Sequence, residues 1–274
     1  MEKQKRKEGQ KHNGETALIT GATDGIGLEL ARCCARNGYD VILVARTLED
    51  LERTAAELQT EFGIHAEIIG ADLMESSAAF AVCEAVKATG RTVDVLINNA
   101  GQGVYGAFTD TDIDREIRMI HLNISSLTIL TKYFLKEMVA RDSGKILQLA
   151  SVASKSSTPY MAVYGATKAY IYNFTQALIS ELEDSQVTVT ALLPGPTDTD
   201  FFHKADAEQM TVYQEGQLAD PADVAQDGYE AIQSGDSKVI SGWKNKMQHV
   251  MGNLIPDEAV AAQAKKQNEP SDKA

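Results

Sequence analysis

From Thr16 to Ile240, short apolar runs alternate with longer amphipathic ones, and that rhythm admits few architectures. Val41–Ala45 is apolar without a break, as a central parallel strand covered on both faces requires. Leu48–Phe62 carries apolar residues at helical spacing and stops at Gly63. The same pairing repeats along the chain. Strands are expected at Thr16–Thr20, Ala66–Ile69, Val93–Ile97, Lys145–Leu149, Val187–Leu193 and Val239–Ile240. Helices are expected at Leu28–Asn37, Ser76–Ala88, Asp110–Val139, Ala162–Leu182 and Pro221–Ile232. Strand and helix in strict alternation give an α/β fold: a doubly wound parallel sheet of about seven strands with helices on both faces.

No linker rich in Pro, Gly or Ser divides the chain, so residues 15–256 are expected as a single domain. Residues 1–14 hold five basic side chains against two acidic ones and read as a basic disordered tail. Residues 257–274 read as a polar, frayed C-terminal tail. Between them, Trp243, Met247, Val250, Met251, Leu254 and Ile255 follow helical spacing, as for a helix packed on its own domain or on a twin subunit. The net charge of −13 repels nucleic acid and anionic membrane. No apolar run reaches the ~18 residues that span a bilayer, and no apolar leader is visible. Cys33, Cys34 and Cys83 form no Cys-x-x-Cys pair, which argues for a reducing, cytoplasmic compartment.

The turn between the first strand and first helix, Thr20-Gly21-Ala22-Thr23-Asp24-Gly25-Ile26-Gly27, is spaced Gly-x-x-x-Gly-x-Gly. Glycines there let the backbone turn tightly and bring a helix N-terminus up to a pyrophosphate, although a purely structural turn would read the same. Gly21, Thr23, Gly25, Ile26 and Gly27 are the expected nucleotide contacts. At the end of the second strand, where NAD sites place an acidic residue, stand Ala45 and Arg46. An arginine fork suits a 2′-phosphate, so NADP is favoured over NAD. Glu49 and Asp50 sit at a helix N-terminus, where they are well placed and can point away; Asp24 is a counter-argument. Asp72 can accept from an adenine amino group or cap a helix starting near Glu75. Asn98-Asn99-Ala100-Gly101 can order the sheet edge beside a cofactor or form a plain turn.

Tyr164 and Lys168 lie four residues apart in a helical run, hence on one face. A free phenol titrates near ~10 and a free ammonium near ~10.4. A fixed ammonium beside the phenol would favour the phenolate and make Tyr164 a usable acid or base.

Together these residues resemble the short-chain dehydrogenase/reductase family, in its non-extended branch with the Rossmann fold. The resemblance runs from about Thr16 to Ile240 and rests on the glycine turn, Asp72, Asn98–Gly101, Asn123, Ser151, Tyr164-x-x-x-Lys168 and Pro194-Gly195. It implies a carbonyl–alcohol oxidoreductase. Ser151 would hydrogen-bond the carbonyl oxygen and Tyr164 would exchange its proton. Lys168 would hold the ribose and lower the Tyr164 pKa, and Asn123 would distort its helix and hold a relay water. Tyr164, Lys168, Asn99, Ala100, Gly101, Pro194, Gly195, Thr197 and Thr199 would all touch the nucleotide. A homodimer or homotetramer paired through the fourth and fifth helices is also implied. Taken singly, Ser151 also reads as a turn residue, Asn123 as a satisfied amide and Lys168 as a solvated charge. Two other classes compete: a non-catalytic NADP-binding regulator, and a sugar-nucleotide epimerase, for which the region after Gly195 is short.

The substrate wall is expected from Gln102–Phe108, Val152–Val163 and Phe201–Met210, with Val104, Tyr105, Phe108, Met161, Phe201 and Phe202 making it apolar. Phe201–Asp220 reads as a polar, irregular lid. No metal is implied: His12, His65, His121, His203 and His249 are scattered and form no ligand pair.

Overall fold

The computed structural model describes residues 13–214, 218–242 and 257–270. Most of the basic head, and all of the helical spacing from Trp243 to Ile255, lie outside the described residues.

Seven strands form one sheet: β1 (Thr16–Thr20), β2 (Asp40–Ala45), β3 (Ala66–Gly70), β4 (Val95–Asn98), β5 (Lys145–Leu149), β6 (Thr188–Leu193) and β7 (Lys238–Ile240). Their order is β3-β2-β1-β4-β5-β6-β7 and every pair is parallel. Strand side chains alternate between faces, so neighbours in β1 feed different cores. Ala17 and Ile19 pack with α1 (Gly25–Arg36), α2 (Leu48–Phe62) and α9 (Pro221–Ser234). Leu18 packs on the other side with α3 (Ala78–Thr89), α5 (Leu127–Ala140) and α6 (Ala162–Glu181). Covering both faces explains why β1 is buried along its whole length. Cys33, Cys34 and Cys83 lie in these cores as small apolar residues.

The helix expected from Asp110 starts as α4 (Ile113–Ile120), where the Asp112 carboxylate accepts from the Asp114 N–H at 2.9 Å. A π-helical turn, His121–Ser126, separates it from α5. The Phe201–Asp220 segment is not the irregular lid that its composition suggests. It holds two short helices, α7 (Phe201–Lys204) and α8 (Thr211–Gln214), over a small core of Phe202, Ala205, Ala207 and Met210. Nor is the whole C-terminal segment frayed: α10 (Asp257–Asn268) docks at its end against α8.

The sheet order reverses between β1 and β4, which lie side by side with crossovers leaving in opposite directions. Beyond the carboxyl ends of these strands the crossovers part and leave a crevice.

Candidate active site

That crevice is a cleft of about 830 Å3 lined from the glycine turn at one end to α7, α8 and α10 at the other. Gly21 and Gly25 take the left-handed conformation, φ +65° and +51°, which side chains disfavour. A Cβ on Gly27 would collide with the Gly21 carbonyl oxygen, and one on Gly25 would come within 2.6 Å of Thr199 Cγ2. At the N-cap of α1, the Asp24 side chain accepts no bond from the helix. The first N–H groups of α1 thus lack a side-chain cap, and the backbone there is bare enough for a pyrophosphate to approach. Gly21, Thr23, Gly25, Ile26 and Gly27 all line the cleft, as do Asn99, Ala100 and Gly101.

The end of β4 is pinned to this turn by bonds that the glycine spacing does not reveal. Asn99 Nδ2 donates to the Thr20 and Gly21 carbonyls at 2.9 and 3.1 Å. Thr20 Oγ1 accepts from the Asn99 and Ala100 N–H groups at 3.1 and 3.0 Å. Asn123, 0% exposed, sits in the π-helical turn. Its Nδ2 donates to the Gln102 carbonyl and Thr167 Oγ1, and its Oδ1 accepts from the Gln102 N–H. Asn123 is therefore both a satisfied amide and part of a local helix distortion that faces the cleft-lining loop.

Ser151, Tyr164 and Lys168 come together in the middle of the cleft. Ser151 follows β5 and caps a turn of 3₁₀ helix over Val152–Lys155, its Oγ accepting from the Ala153 N–H at 3.1 Å. The same hydroxyl is near enough to Tyr164 to pull its pKa down slightly, against the effect of burial. Lys168 is no solvated charge: it is 3% exposed, its Nζ donating to the Leu149 carbonyl at 2.7 Å. Nζ also lies 5.7 Å from the centre of the Tyr164 ring.

Burial opposes the lowering of the Tyr164 pKa expected from Lys168. Burial pushes the phenol up to about 12, outweighing the Ser151 contact. Burial also pulls the Lys168 ammonium down to about 7. An amine that sheds its proton near neutrality is only partly charged there, and its neutral form gives a phenolate no Coulombic support. Sequence spacing shows that two groups are neighbours; it does not show that both are taken out of water.

Arg46 is exposed at the nucleotide end and lines the cleft with Asp50 and Arg53. Asp50 does not point away from the cleft as a helix-start acid could, but it pairs with Arg53 at 2.8 Å. Asp24 pairs with Lys204 of α7 at 3.5 Å. Asp72 lines the cleft, yet α3 starts only at Ala78, so Asp72 caps no helix near Glu75. It closes a turn through the Met74 N–H and pairs with Arg118. Pro194, Gly195, Thr197 and Thr199 line the cleft. Thr197 Oγ1 donates to the Gly195 carbonyl, and Thr199 Oγ1 accepts from the Phe201 N–H at 3.3 Å.

Of the six residues expected to make the substrate end apolar, Met161, Phe201 and Phe202 line it. Val104 is buried behind, Tyr105 turns to α10, and Phe108 is 64% exposed on the outside. Met210, within the expected wall, lines it too, and the wall gains Thr211, Val212, Ala264, Gln267 and Asn268. Nothing in a polar C-terminal stretch signals that role. Gly103 and Gly165 are also closely packed: a Cβ on Gly165 would strike Thr158 Oγ1, and one on Gly103 would lie 2.7 Å from the flexible end of Met161. Among the described residues no group of three or more His, Cys, Asp or Glu could hold a metal ion, and no helix is long and apolar enough to cross a membrane.

Known proteins resemble this chain in sequence and in fold. The sequence model of the short chain dehydrogenase family matches residues 15–210. An uncharacterised oxidoreductase of Staphylococcus epidermidis is 32% identical over 206 residues, which cover 75% of this chain and 88% of that one. A short-chain dehydrogenase from Sphingobium yanoikuyae, solved in complex with NADPH, superposes with a TM-score of 0.79 at 28% identity, covering 95% of this chain and 100% of that one. A 3-oxoacyl-[acyl-carrier protein] reductase from Brucella melitensis with bound NAD superposes with a TM-score of 0.72 at 28% identity, covering 84% and 90%.

Proposed function

This chain belongs to the short-chain dehydrogenase/reductase family and is an NAD(P)-dependent oxidoreductase, and from that premise we propose that it interconverts an apolar ketone and a secondary alcohol with NADP. The observation that carries the reading is the meeting of Ser151, Tyr164 and Lys168 in the same cleft as the glycine turn. The glycine turn and Asn99–Gly101 would hold the nucleotide, with Arg46 on the 2′-phosphate. When bound, that nucleotide supplies the hydride.

The residues of the chain handle the proton. Tyr164, protonated at neutral pH because burial raises its pKa, gives the phenolic proton to the carbonyl oxygen. Ser151 Oγ sits beside that hydroxyl and donates to the same oxygen as negative charge grows on it. Lys168, in its charged form, stabilises the phenolate left behind, and an ammonium that exchanges near pH 7 serves both directions. Asn123 fixes the Gln102 backbone and Thr167, one residue before Lys168, and so holds the lysine's helix against the cleft floor. Met161, Phe201, Phe202, Met210 and Val212 favour an apolar substrate.

Subunits are proposed to pair through α4–α5 and α6, which correspond to the fourth and fifth helices expected from the sequence and expose Ile113, Ile117 and Tyr170. The decisive experiment is NADPH oxidation, followed by absorbance, across a panel of ketones and aldehydes. Turnover of apolar ketones is expected; no turnover of any carbonyl, with NADPH bound, defeats the reading.

A further inference from the structure

The end of α10 and the two residues after it tie together three separate walls of the substrate half. Asn268 Nδ2 donates to the Pro159 carbonyl at 2.8 Å, on the loop that leads into α6 and Tyr164. The Asn268 carbonyl accepts from the Tyr105 hydroxyl at 2.8 Å, on the loop after β4. The Glu269 carbonyl accepts from Thr211 N–H and Oγ1, at 3.2 and 3.1 Å, at the start of α8. Pro270 forms an antiparallel bridge with Met210. The loop so held is a constrained one. Tyr160 adopts φ +63°, and its carbonyl accepts from the Gly106 N–H at 2.9 Å. Tyr160 also packs its ring 6.0 Å from that of Tyr105.

We propose that residues 264–270 are a strap forming the outer wall of the substrate site, and that Asn268 is a positioning residue that restricts the enzyme to compact apolar ketones. By holding Pro159, Asn268 fixes the approach to Met161 and Tyr164. By holding Tyr105, it keeps that ring behind the wall rather than in the cleft. Ala264 and Gln267 line the same cleft as Met161 and Phe201, so that a long chain attached to the carbonyl would meet the strap. The substrate part of this inference rests on the ketone reading above; the docking of the strap does not.

Two variants of the full chain test it, Tyr105→Phe and Asn268→Ala. Each removes one clasp without touching Tyr164 or the glycine turn. The first arm measures kcat/KM for a series of methyl ketones of increasing chain length. The native enzyme should prefer short members, and each variant should shift the long-to-short ratio upward about fivefold, the worth of one buried hydrogen bond. The NADPH Kd should stay unchanged. The two losses should also be less than additive in the double variant, because both act through one strap. The second arm needs no turnover. Trypsin can cut after Lys265 and Lys266, which are exposed on the strap, and release of the C-terminal fragment should speed up about fivefold in both variants as local opening becomes easier. Unchanged cleavage overturns the clasp. Faster cleavage with an unchanged ketone ratio overturns the specificity role. If the native enzyme reduces no ketone at all, the specificity role falls with the reading it rests on, and the cleavage arm still judges the docking.

Discussion

The two ends of the cleft are built on different principles. At the nucleotide end, the backbone itself is the surface: Gly21, Gly25 and Gly27 bare it, and Thr20 and Asn99 brace it through main-chain atoms. Thr20 and Gly21 sit at the end of β1 and Asn99 at the end of β4, adjacent strands of the sheet, and Gly25 and Gly27 open α1. At the substrate end, the surface is made of side chains from the 158–161 loop, α7, α8 and α10, which are far apart in sequence. The lesson is that a rigid, chemically invariant ligand can be met by backbone, whereas an adaptable wall is made of side chains that tertiary contacts gather. Tyr164 stands at the seam, its ring 5.2 Å from that of Phe201 on one side and its hydroxyl beside Ser151 on the other.

The seam gives the largest expected effect. Tyr164→Phe should lower kcat roughly a thousandfold, within the usual range for a lost general acid. Its NADPH affinity should stay nearly intact; unchanged turnover would take Tyr164 out of the mechanism and leave the two ends chemically unconnected.

A matched pair of threonine substitutions sharpens the comparison itself. Thr20→Val orphans the Ala100 N–H and leaves the Asn99 N–H only the Ile97 carbonyl, and should cost about 1–3 kcal/mol in urea unfolding. Thr211→Val removes a side-chain bond that the Thr211 N–H partly duplicates, and should cost under about 1 kcal/mol. Equal losses would mean that the two ends are equally braced.

Arg46→Ala should weaken NADPH about thirtyfold and NADH hardly at all, as expected for a charge-assisted contact to the 2′-phosphate. Equal weakening, read by fluorescence titration, would place Arg46 outside the discrimination and shift attention to Arg53.

The last expected effect is a slope of stability with pH. Lys168 holds its proton less tightly when folded, about 7, than when unfolded, near ~10.4. Between these values the unfolded chain binds more protons, so stability rises with pH by up to about 1 kcal/mol per unit. The burial penalty is complete below pH 7 and relieved above it. Lys168→Met should flatten this slope in denaturant midpoints measured from pH 7 to 9.5. A slope that survives the substitution would assign it to another group.

Much of the sheet could be read from the chain. The expected bounds of β1, α2 and β5 coincide with the observed ones, because each is a clean period of apolar residues closed by a Gly or a polar turn. Others moved by a few residues for local reasons. Helix α1 starts at Gly25 because the glycine turn itself enters the helix, and α4 waits for the Asp112 cap. Asn123, Ser151 and Lys168 stood out as residue types, but their surroundings did not. Neither the π-helical turn, nor the double role of Ser151 as cap and Tyr164 neighbour, has a periodic signature.

The sequence by itself determined the layering, the strand rhythm and the glycine cradle, because period and the absence of a Cβ are local properties that each residue carries with it. Only the tertiary structure decided the direction of the Tyr164 and Lys168 pKa shifts, the outward turn of Phe108, and the inward docking of a polar C-terminal helix. Those depend on how much water a group loses and on which distant carbonyl lies within reach, quantities that exist only once the chain has closed on itself.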